Sequence, residues 1–170
     1  RDLKVLSAAD VRADPTRAFA PILVLGNQER HRLNQHQARA FAEYYDVPLV
    51  RWKHPLSQKD VESLSDEVLM KLYDEEAGLW GYFVRGAPSM LLRNIQPTKN
   101  LANGSMGWLH SLTFVPEPPP ELLAAVQANH FQVVTLAEPP YAINIVPQLP
   151  DDDTGEGIQS LDGESLVVPV

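Results

Sequence analysis

Two groups of polar residues carry the chemistry that this sequence could perform. The first is Arg51-Trp52-Lys53-His54, in which an indole stands between two cations. A nucleic-acid base can stack on an indole while neighbouring cations hold phosphates, and such stacking contributes roughly 1–3 kcal/mol per base. The structural alternative is that Trp52 is a core residue at the end of a strand. The segment therefore predicts either a contact with single-stranded nucleic acid or a buried anchor.

The second group follows the apolar run Ser89–Leu92. Arg93 and Asn94 come directly after this run, and α/β sheets place functional groups at the ends of strands. Lys99 follows in a short polar stretch, and the polar ends of these side chains suit sequence-independent contacts with phosphates. A strand-terminal cap with an exposed lysine is the structural alternative. Asn103-Gly104 is predicted to occupy both left-handed positions of a tight turn.

The charge of the chain is unevenly distributed. The net charge is −8, and all 14 Lys and Arg residues lie at or before Lys99. Residues 100–170 hold nine acids and no cation. Because proteins bind phosphate backbones largely through Lys and Arg, the acidic half is a poor candidate for a nucleic-acid surface, and contact with DNA is expected in the first 99 residues. The stretch between Pro21 and Pro55 is modestly basic, which a solvated helix face would also explain.

Several other kinds of chemistry are excluded by the residues themselves. The chain has no cysteine, so disulfides and thiolate metal sites are absent. His31 and His36 would lie about 140° apart on a helix, too far for chelation. No G-x-x-x-x-G-K-[ST] phosphate loop and no G-x-S-x-G elbow occurs. No apolar run approaches the roughly 20 residues of a membrane span, so no membrane contact is expected.

The elements expected in the first half follow the strand-then-helix order of α/β folds. Ile22–Leu25 is a continuous aliphatic run between breakers, which favours a buried parallel strand. Helices are predicted over about 28–45 and from Ser57 to about Tyr73, with a strand over 48–52 between them. Strands are also expected over 79–84 and 88–92. Residues 21–94 should then form one parallel layer that contains both Ile22–Leu25 and Ser89–Leu92.

Past Gly107 the pattern changes to short strands and proline-rich connections. The strand candidates are 108–114, 131–136, 141–146 and 166–170, with a short helix over 121–128. Short strands at close spacing are typical of a small antiparallel barrel or sandwich. Asp151-Asp152-Asp153 lacks the pattern of a calcium loop and is expected to be solvated.

The segment from Gly86 to Gly107 resembles part of the second motor domain of Pif/RecD-type helicases, the 5′-to-3′ branch of superfamily one. The matching residues are Ala87-Pro88-Ser89-Met90-Leu91-Leu92-Arg93-Asn94 and, after a polar middle, Leu101-Ala102-Asn103-Gly104-Ser105-Met106-Gly107. A family pattern of the form GAP-V-MLLRN-L-D-P, then G-L-x-NG-T-x-G, is similar to both parts.

A second resemblance to the same family lies upstream, from Pro21 to Asn34. This segment looks like the strand, turn and helix that open the domain, where the family usually shows a Thr-Asn pair and a further Asn seven residues later. Asn27 and Asn34 match the asparagines, and Gly26 replaces the threonine.

The resemblance implies a fold and a division of the chain. The fold class is α/β: a partial RecA-like parallel sheet with flanking helices, followed by a small antiparallel SH3-like β insertion. Residues 1–18 would be a lead-in segment, 19–102 part of the second RecA-like domain, called 2A, and 103–170 the acidic SH3-like insertion, called 2B. The first motor domain and the last motifs of the family would lie outside the 170 residues.

The resemblance also implies a function. The chain would be a fragment of an ATP-dependent 5′-to-3′ DNA helicase that supplies single-stranded DNA contacts and domain closure. No cofactor is expected in the fragment, whereas ATP and Mg²⁺ are implied for the full-length enzyme. The expected partners are single-stranded DNA and the remaining helicase domains of the same polypeptide. No residue is assigned to catalysis or to a metal.

Nine residues are assigned to nucleic-acid binding on these grounds: Asn27, Asn34, Arg51, Trp52, Lys53, Arg93, Asn94, Lys99 and Asn103. The alternative function is a non-catalytic protein-interaction module whose acidic C-terminal half binds a partner.

Overall fold

The computed structural model describes residues 7, 9, 19–20, 22, 24–57, 61–149 and 168–169, which form a mixed α/β structure. Its helices are α1 (Asn27–Tyr45), α2 (Asp66–Glu75) and α3 (Pro120–Ala128). Its strands are β1 (Leu49–Lys53), β2 (Trp80–Phe83), β3 (Pro88–Met90), β4 (Met106–Thr113), β5 (Val133–Leu136), β6 (Ala142–Pro147) and β7 (Val168–Pro169). Single 3₁₀ turns lie at Ala77–Leu79 and Pro97–Lys99.

The strands form two sheets. The first has the order β2-β1-β5, in which β1 is antiparallel to β2 and parallel to β5. The second has the order β3-β4-β6-β7, with antiparallel neighbours throughout. The strands predicted over 48–52, 79–84, 88–92, 108–114, 131–136 and 141–146 are thus confirmed with shifted ends, as is the helix over 28–45.

The predicted strand at Ile22–Leu25 is wrong for the residues that are described. Ile22, Val24 and Leu25 lie outside any strand, and the side chains of Ile22 and Leu25 are 54% and 102% exposed. A physical reason lies in the first sheet, where β5 occupies the parallel position beside β1. Ser89 pairs with Gly107 in the second, antiparallel sheet. The single parallel layer expected over 21–94 is therefore not formed.

The helix predicted from Ser57 to Tyr73 is interrupted. A turn at 63–64 is followed by Ser65, whose Oγ accepts a hydrogen bond from the Val68 N–H at 3.4 Å and caps α2. Asp66 and Glu67 then lie in the first turn of α2, where negative charge is favourable. Ser-Asp-Glu is a helix-start signal, which explains why a new helix begins here.

The two sheets share one core. Its largest cluster joins residues of the first sheet to α3: Val50, Trp52, Phe83, Leu122, Ala125, Val134 and Leu136. Leu109 and Leu112 of β4, in the second sheet, pack against this cluster. The chain also crosses between the sheets, because β5 follows β4 in sequence but pairs with β1. The predicted division between residues 102 and 103 falls inside the connection from β3 to β4 and does not separate two sheets.

Some predicted features lie outside the described residues. They include the lead-in segment 1–18, except Ser7 and Ala9, and the acidic loop at 151–157. The strand predicted over 166–170 is described at Val168–Pro169, which pairs with β6. Among the described residues, no helix has both the length and the apolar character that crossing a membrane requires.

Candidate nucleic-acid interface

Strand β1 divides the Arg51-Trp52-Lys53 group between its two faces, because successive strand side chains point in opposite directions. Arg51 is half-buried and Lys53 is exposed on one face. Val50 and Trp52, each 3% exposed, enter the core on the other face. Only the two cations are therefore accessible together.

Trp52 is a core residue, as the structural alternative held. It lies opposite Gly81 of β2, and its indole fills the space that a Cβ atom at Gly81 would need. An indole that is 3% exposed cannot offer its face to a base. The assignment of Trp52 to nucleic-acid binding is thus corrected: its contribution is to hold β1 in place.

A different pair of aromatic residues accompanies the cations. The Arg51 guanidinium carbon lies 4.7 Å from the ring centroid of Trp80. The Lys53 ammonium lies 4.5 Å from the ring centroid of Tyr73 and 5.7 Å from that of Trp80. These distances fall within the range of cation–π attraction. The aromatic partner expected of Trp52 is therefore supplied by Trp80 on β2 and Tyr73 on α2.

Hydrogen bonds fix the rings and one of the cations. Trp80 Nε1 donates to the Tyr73 carbonyl oxygen at 2.7 Å, and the Tyr73 hydroxyl donates to the His54 carbonyl oxygen at 2.8 Å. Arg51 Nε donates to Thr135 Oγ1 on β5 at 2.9 Å. Because α2, β2 and β5 all contribute to these bonds, the cluster is ordered before any ligand arrives.

The cluster forms one wall of an open pocket of about 260 Å³, here called the basic–aromatic pocket. Its lining residues are Gln35, Arg51, Lys53, Met70, Tyr73, Asp74, Ala77 and Trp80. Within the described ranges neither Arg51 nor Lys53 forms an ion pair, although Asp74 lines the same pocket. Two cations without a carboxylate partner favour an anionic ligand.

Tyr82 of β2 lies opposite Arg51 in the strand register and is not one of the lining residues of the pocket. Its hydroxyl oxygen is buried and has no hydrogen-bond partner among the residues that the structure describes. Burial raises the pKa of the Tyr82 phenol above its ordinary value, and the positive charge of Arg51 partly opposes that rise. The neutral phenol is thus the form that this environment favours.

The second predicted group lies on a closed loop between Leu91 and Ser105, here called the Leu91–Ser105 loop. The Leu91 N–H donates to the Ser105 carbonyl at 2.9 Å, and the Gly104 N–H donates to the Leu91 carbonyl at 2.8 Å. Leu101, which is 1% exposed, anchors the loop in a cluster with Leu91 and Ile145. The loop is therefore part of the fold and not an appendage.

Within this loop the structure brings Asn94 and Asn103 together. Asn94 Oδ1 accepts a hydrogen bond from the Asn103 N–H at 2.9 Å. The turn is closed by the Ser105 N–H donating to the Ala102 carbonyl at 3.0 Å, and only Gly104, with φ of +94°, is left-handed. A turn with one left-handed residue at its third position is type II, so the expectation of two left-handed positions is wrong.

The two cations of the loop differ in exposure. Arg93 is exposed and has no ion-pair or hydrogen-bond partner among the residues that are described. Lys99 is half-buried at the end of the 3₁₀ turn Pro97–Lys99. Arg93 is thus the more accessible cation of this group.

Asn27 and Asn34 both lie exposed on α1. Asn34 immediately precedes Gln35, which lines the basic–aromatic pocket, whereas Asn27 begins the helix about 10 Å away along its axis. Neither asparagine lines the pocket. The structure therefore places Asn34 near the pocket and Asn27 apart from it.

Sequence reasoning missed Tyr73 and Trp80. The alternation of β1 indicates that Arg51 and Lys53 share a face from which Trp52 is excluded. The identity of their aromatic neighbours depends on the pairing of Lys53 with Trp80, and this long-range register cannot be predicted from the local sequence.

No group of three or more His, Asp or Glu side chains in the described part could hold a metal ion. Comparisons with protein-family models, with curated proteins and with solved structures find no significant match. The resemblance to Pif/RecD-type helicases therefore depends on its motif residues alone.

Proposed function

We propose that this chain supplies single-stranded DNA contacts in the second motor domain of a Pif/RecD-type 5′-to-3′ DNA helicase, with RecA-like and SH3-like parts as the resemblance implies. The observation that carries the proposal is the basic–aromatic pocket, in which Arg51 and Lys53 lie on aromatic rings and form no ion pair with a carboxylate of the described residues. Positive grooves combined with aromatic side chains are typical of proteins that bind single strands.

The pocket suits sequence-independent binding of the backbone. Arg51 can present its planar guanidinium to two phosphate oxygens, and Lys53 can act as a point charge for a neighbouring phosphate. Arg51 is already fixed by Thr135 Oγ1 and the Trp80 ring, so less side-chain entropy is lost on binding.

The Leu91–Ser105 loop supports the same proposal from the residues that carry the resemblance. Asn94 closes the loop through its side-chain oxygen, and the adjacent Arg93 extends into solvent. An exposed cation on a well-anchored loop suits a phosphate contact that positions a strand without reading its sequence.

ATP and Mg²⁺ belong, in this proposal, to helicase segments other than the 170 residues, because the chain has no phosphate loop. No step of ATP hydrolysis is assigned to its residues. The contribution of this chain is contact with the single-stranded DNA and closure against the other motor domain.

Titration with labelled oligo-dT tests the proposal. Arg51→Ala with Lys53→Ala should weaken binding about tenfold or more, because two charge-assisted contacts are lost. Adding Arg93→Ala and Lys99→Ala should weaken it further.

The matched control is Arg39→Ala with Lys71→Ala, which removes two cations that already pair with Glu43 and Glu75 outside the pocket. A thermal melt of each variant checks folding. Wild-type affinity in a folded Arg51→Ala/Lys53→Ala variant would overturn the proposal and favour the protein-interaction module.

A further inference from the structure

We infer that the basic–aromatic pocket selects among the bases of a single strand, and that it favours bases with an exocyclic amino group over thymine and uracil. The inference depends on the proposed function and deepens it, because it names the chemistry of the base that the pocket accepts. It is drawn from Gln35 and Asp74, to which phosphate binding assigns no role, and from the flat face of the Arg51 guanidinium, whose N–H edge contacts phosphate.

Two further polar side chains line the same pocket as the cations. Gln35 of α1 and Asp74 of α2 both line it, and within the described part neither has a hydrogen-bond or ion-pair partner. An ionised carboxylate can only accept hydrogen bonds, whereas a glutamine amide can both donate and accept. Asp74 thus provides hydrogen-bond acceptors to the pocket and no donor.

Arg51 provides a surface on which a base can stack. One side of its guanidinium lies over Trp80 at 4.7 Å, and the residue also lines the pocket. Unstacked bases of single strands are commonly held on arginine planes and read on their Watson–Crick edges. The pocket, at about 260 Å³, is smaller than the sites of drug-sized ligands, which suits one base.

The edge of the base decides the preference. Cytosine and adenine carry amino groups that can donate to the Asp74 carboxylate, and glutamine can pair with adenine through two hydrogen bonds. Thymine and uracil present a carbonyl oxygen at the position of the cytosine amino group, so two acceptors would face each other. Asp74 therefore disfavours these two bases.

Oligo-deoxycytidine and oligo-deoxyuridine of about 12 nucleotides form the sharpest pair of probes, because each exceeds one binding site and neither has a thymine methyl group. The wild-type chain should bind the deoxycytidine strand about fivefold more tightly, the size of effect expected from one net hydrogen bond. Asp74→Asn should bring the ratio close to one while strengthening binding of both strands, since a negative charge is removed.

Glu67→Gln is the matched control, with the same change of charge on the same helix but outside the pocket. It should keep the fivefold ratio. Equal binding of both strands by the wild-type chain, with both weakened in the Arg51→Ala/Lys53→Ala variant, would overturn the base preference and leave DNA contact intact. Failure of both strands to bind the wild-type chain would overturn the proposed function as well. A ratio that persists in Asp74→Asn would overturn the role of Asp74.

Discussion

Trp52 and Trp80 lie on neighbouring strands yet face opposite sides of the first sheet. Trp52 is paired with Gly81 and packs in the core, whereas Trp80 is paired with Lys53 and lies beneath the two cations of the pocket. Trp52 therefore contributes to the core, and Trp80 contributes to the candidate site.

Alanine at each position should separate these roles. Trp52→Ala is expected to lower the free energy of unfolding by about 3–5 kcal/mol, the usual cost of truncating a buried large aromatic residue. Trp80→Ala should lower the free energy of unfolding by less, because Trp80 is only half-buried. It should also weaken binding of oligo-dT, because Arg51 and Lys53 lose the ring that holds them. Urea denaturation alongside DNA titration measures both effects. Loss of affinity without loss of stability in Trp52→Ala would contradict the assignment.

Tyr82→Phe should stabilise the protein. The Tyr82 hydroxyl is buried and has no hydrogen-bond partner in the described part of the chain, and removing such a group relieves a desolvation cost of about 1 kcal/mol. The pH dependence has a definite sign, because burial raises the pKa of the folded-state phenol. As the pH rises, the Tyr82 phenol ionises in the unfolded chain before it ionises in the folded chain. The stability that comes from its raised pKa is therefore fully present below about pH 10 and is lost as the pH rises through the folded-state pKa.

Chemical denaturation of both proteins from about pH 8 to about pH 11 measures this difference. The wild type should lose more stability than Tyr82→Phe at the alkaline end. A less stable Tyr82→Phe at pH 8 would show that the hydroxyl has a partner after all.

At the scale of elements, β1 organises the candidate site. It pairs with β2 on one side and β5 on the other, which brings Trp80 and Thr135 to Arg51. The close approach of β1 and β2 at Gly81 depends on the absence of a side chain there, because the Trp52 indole occupies that space.

Gly81→Ala should therefore destabilise the fold by about 1–3 kcal/mol, through the overpacking that an added methyl group causes. Trp52→Leu in the same chain should relieve part of this cost, since the two residues are in contact and their effects should not add. Gly86→Ala is an informative comparison, because the φ of +81° strains an alanine although no atom of the described residues beyond its chain neighbours lies within 4 Å of the added Cβ. Additive effects of Gly81→Ala and Trp52→Leu in urea denaturation would contradict the packing account.

The sequence predicted local elements better than their arrangement. Helix α1 and strand β1 follow from short-range periodicity, whereas Arg51, Trp52 and Lys53 form one cluster in the sequence-based prediction, which does not separate Trp52 from the face of the two cations. The aliphatic run Ile22–Leu25 could not be judged locally, because whether it forms a strand depends on a free edge beside β1, and β5 occupies that edge. The same dependence on register concealed Trp80 as the aromatic neighbour of the cations.

At the scale of the whole molecule, the two candidate DNA contacts belong to different sheets of one packed structure. The basic–aromatic pocket lies on the first sheet, and the Leu91–Ser105 loop connects β3 and β4 of the second. Leu109 packs against all three hydrophobic clusters and so links the sheets. All Lys and Arg residues precede residue 100, while residues 100–170 add only negative charge.

The salt dependence of oligo-dT binding tests the central claim most directly, because it counts the phosphates that the chain neutralises. Each phosphate contact contributes a slope of about −0.7 to the logarithm of affinity against the logarithm of salt concentration. Arg51→Ala with Lys53→Ala should reduce the magnitude of the slope by about 1.4, the value for two contacts, while Arg39→Ala with Lys71→Ala should leave it unchanged. A folded Arg51→Ala/Lys53→Ala variant with the wild-type slope would contradict the account.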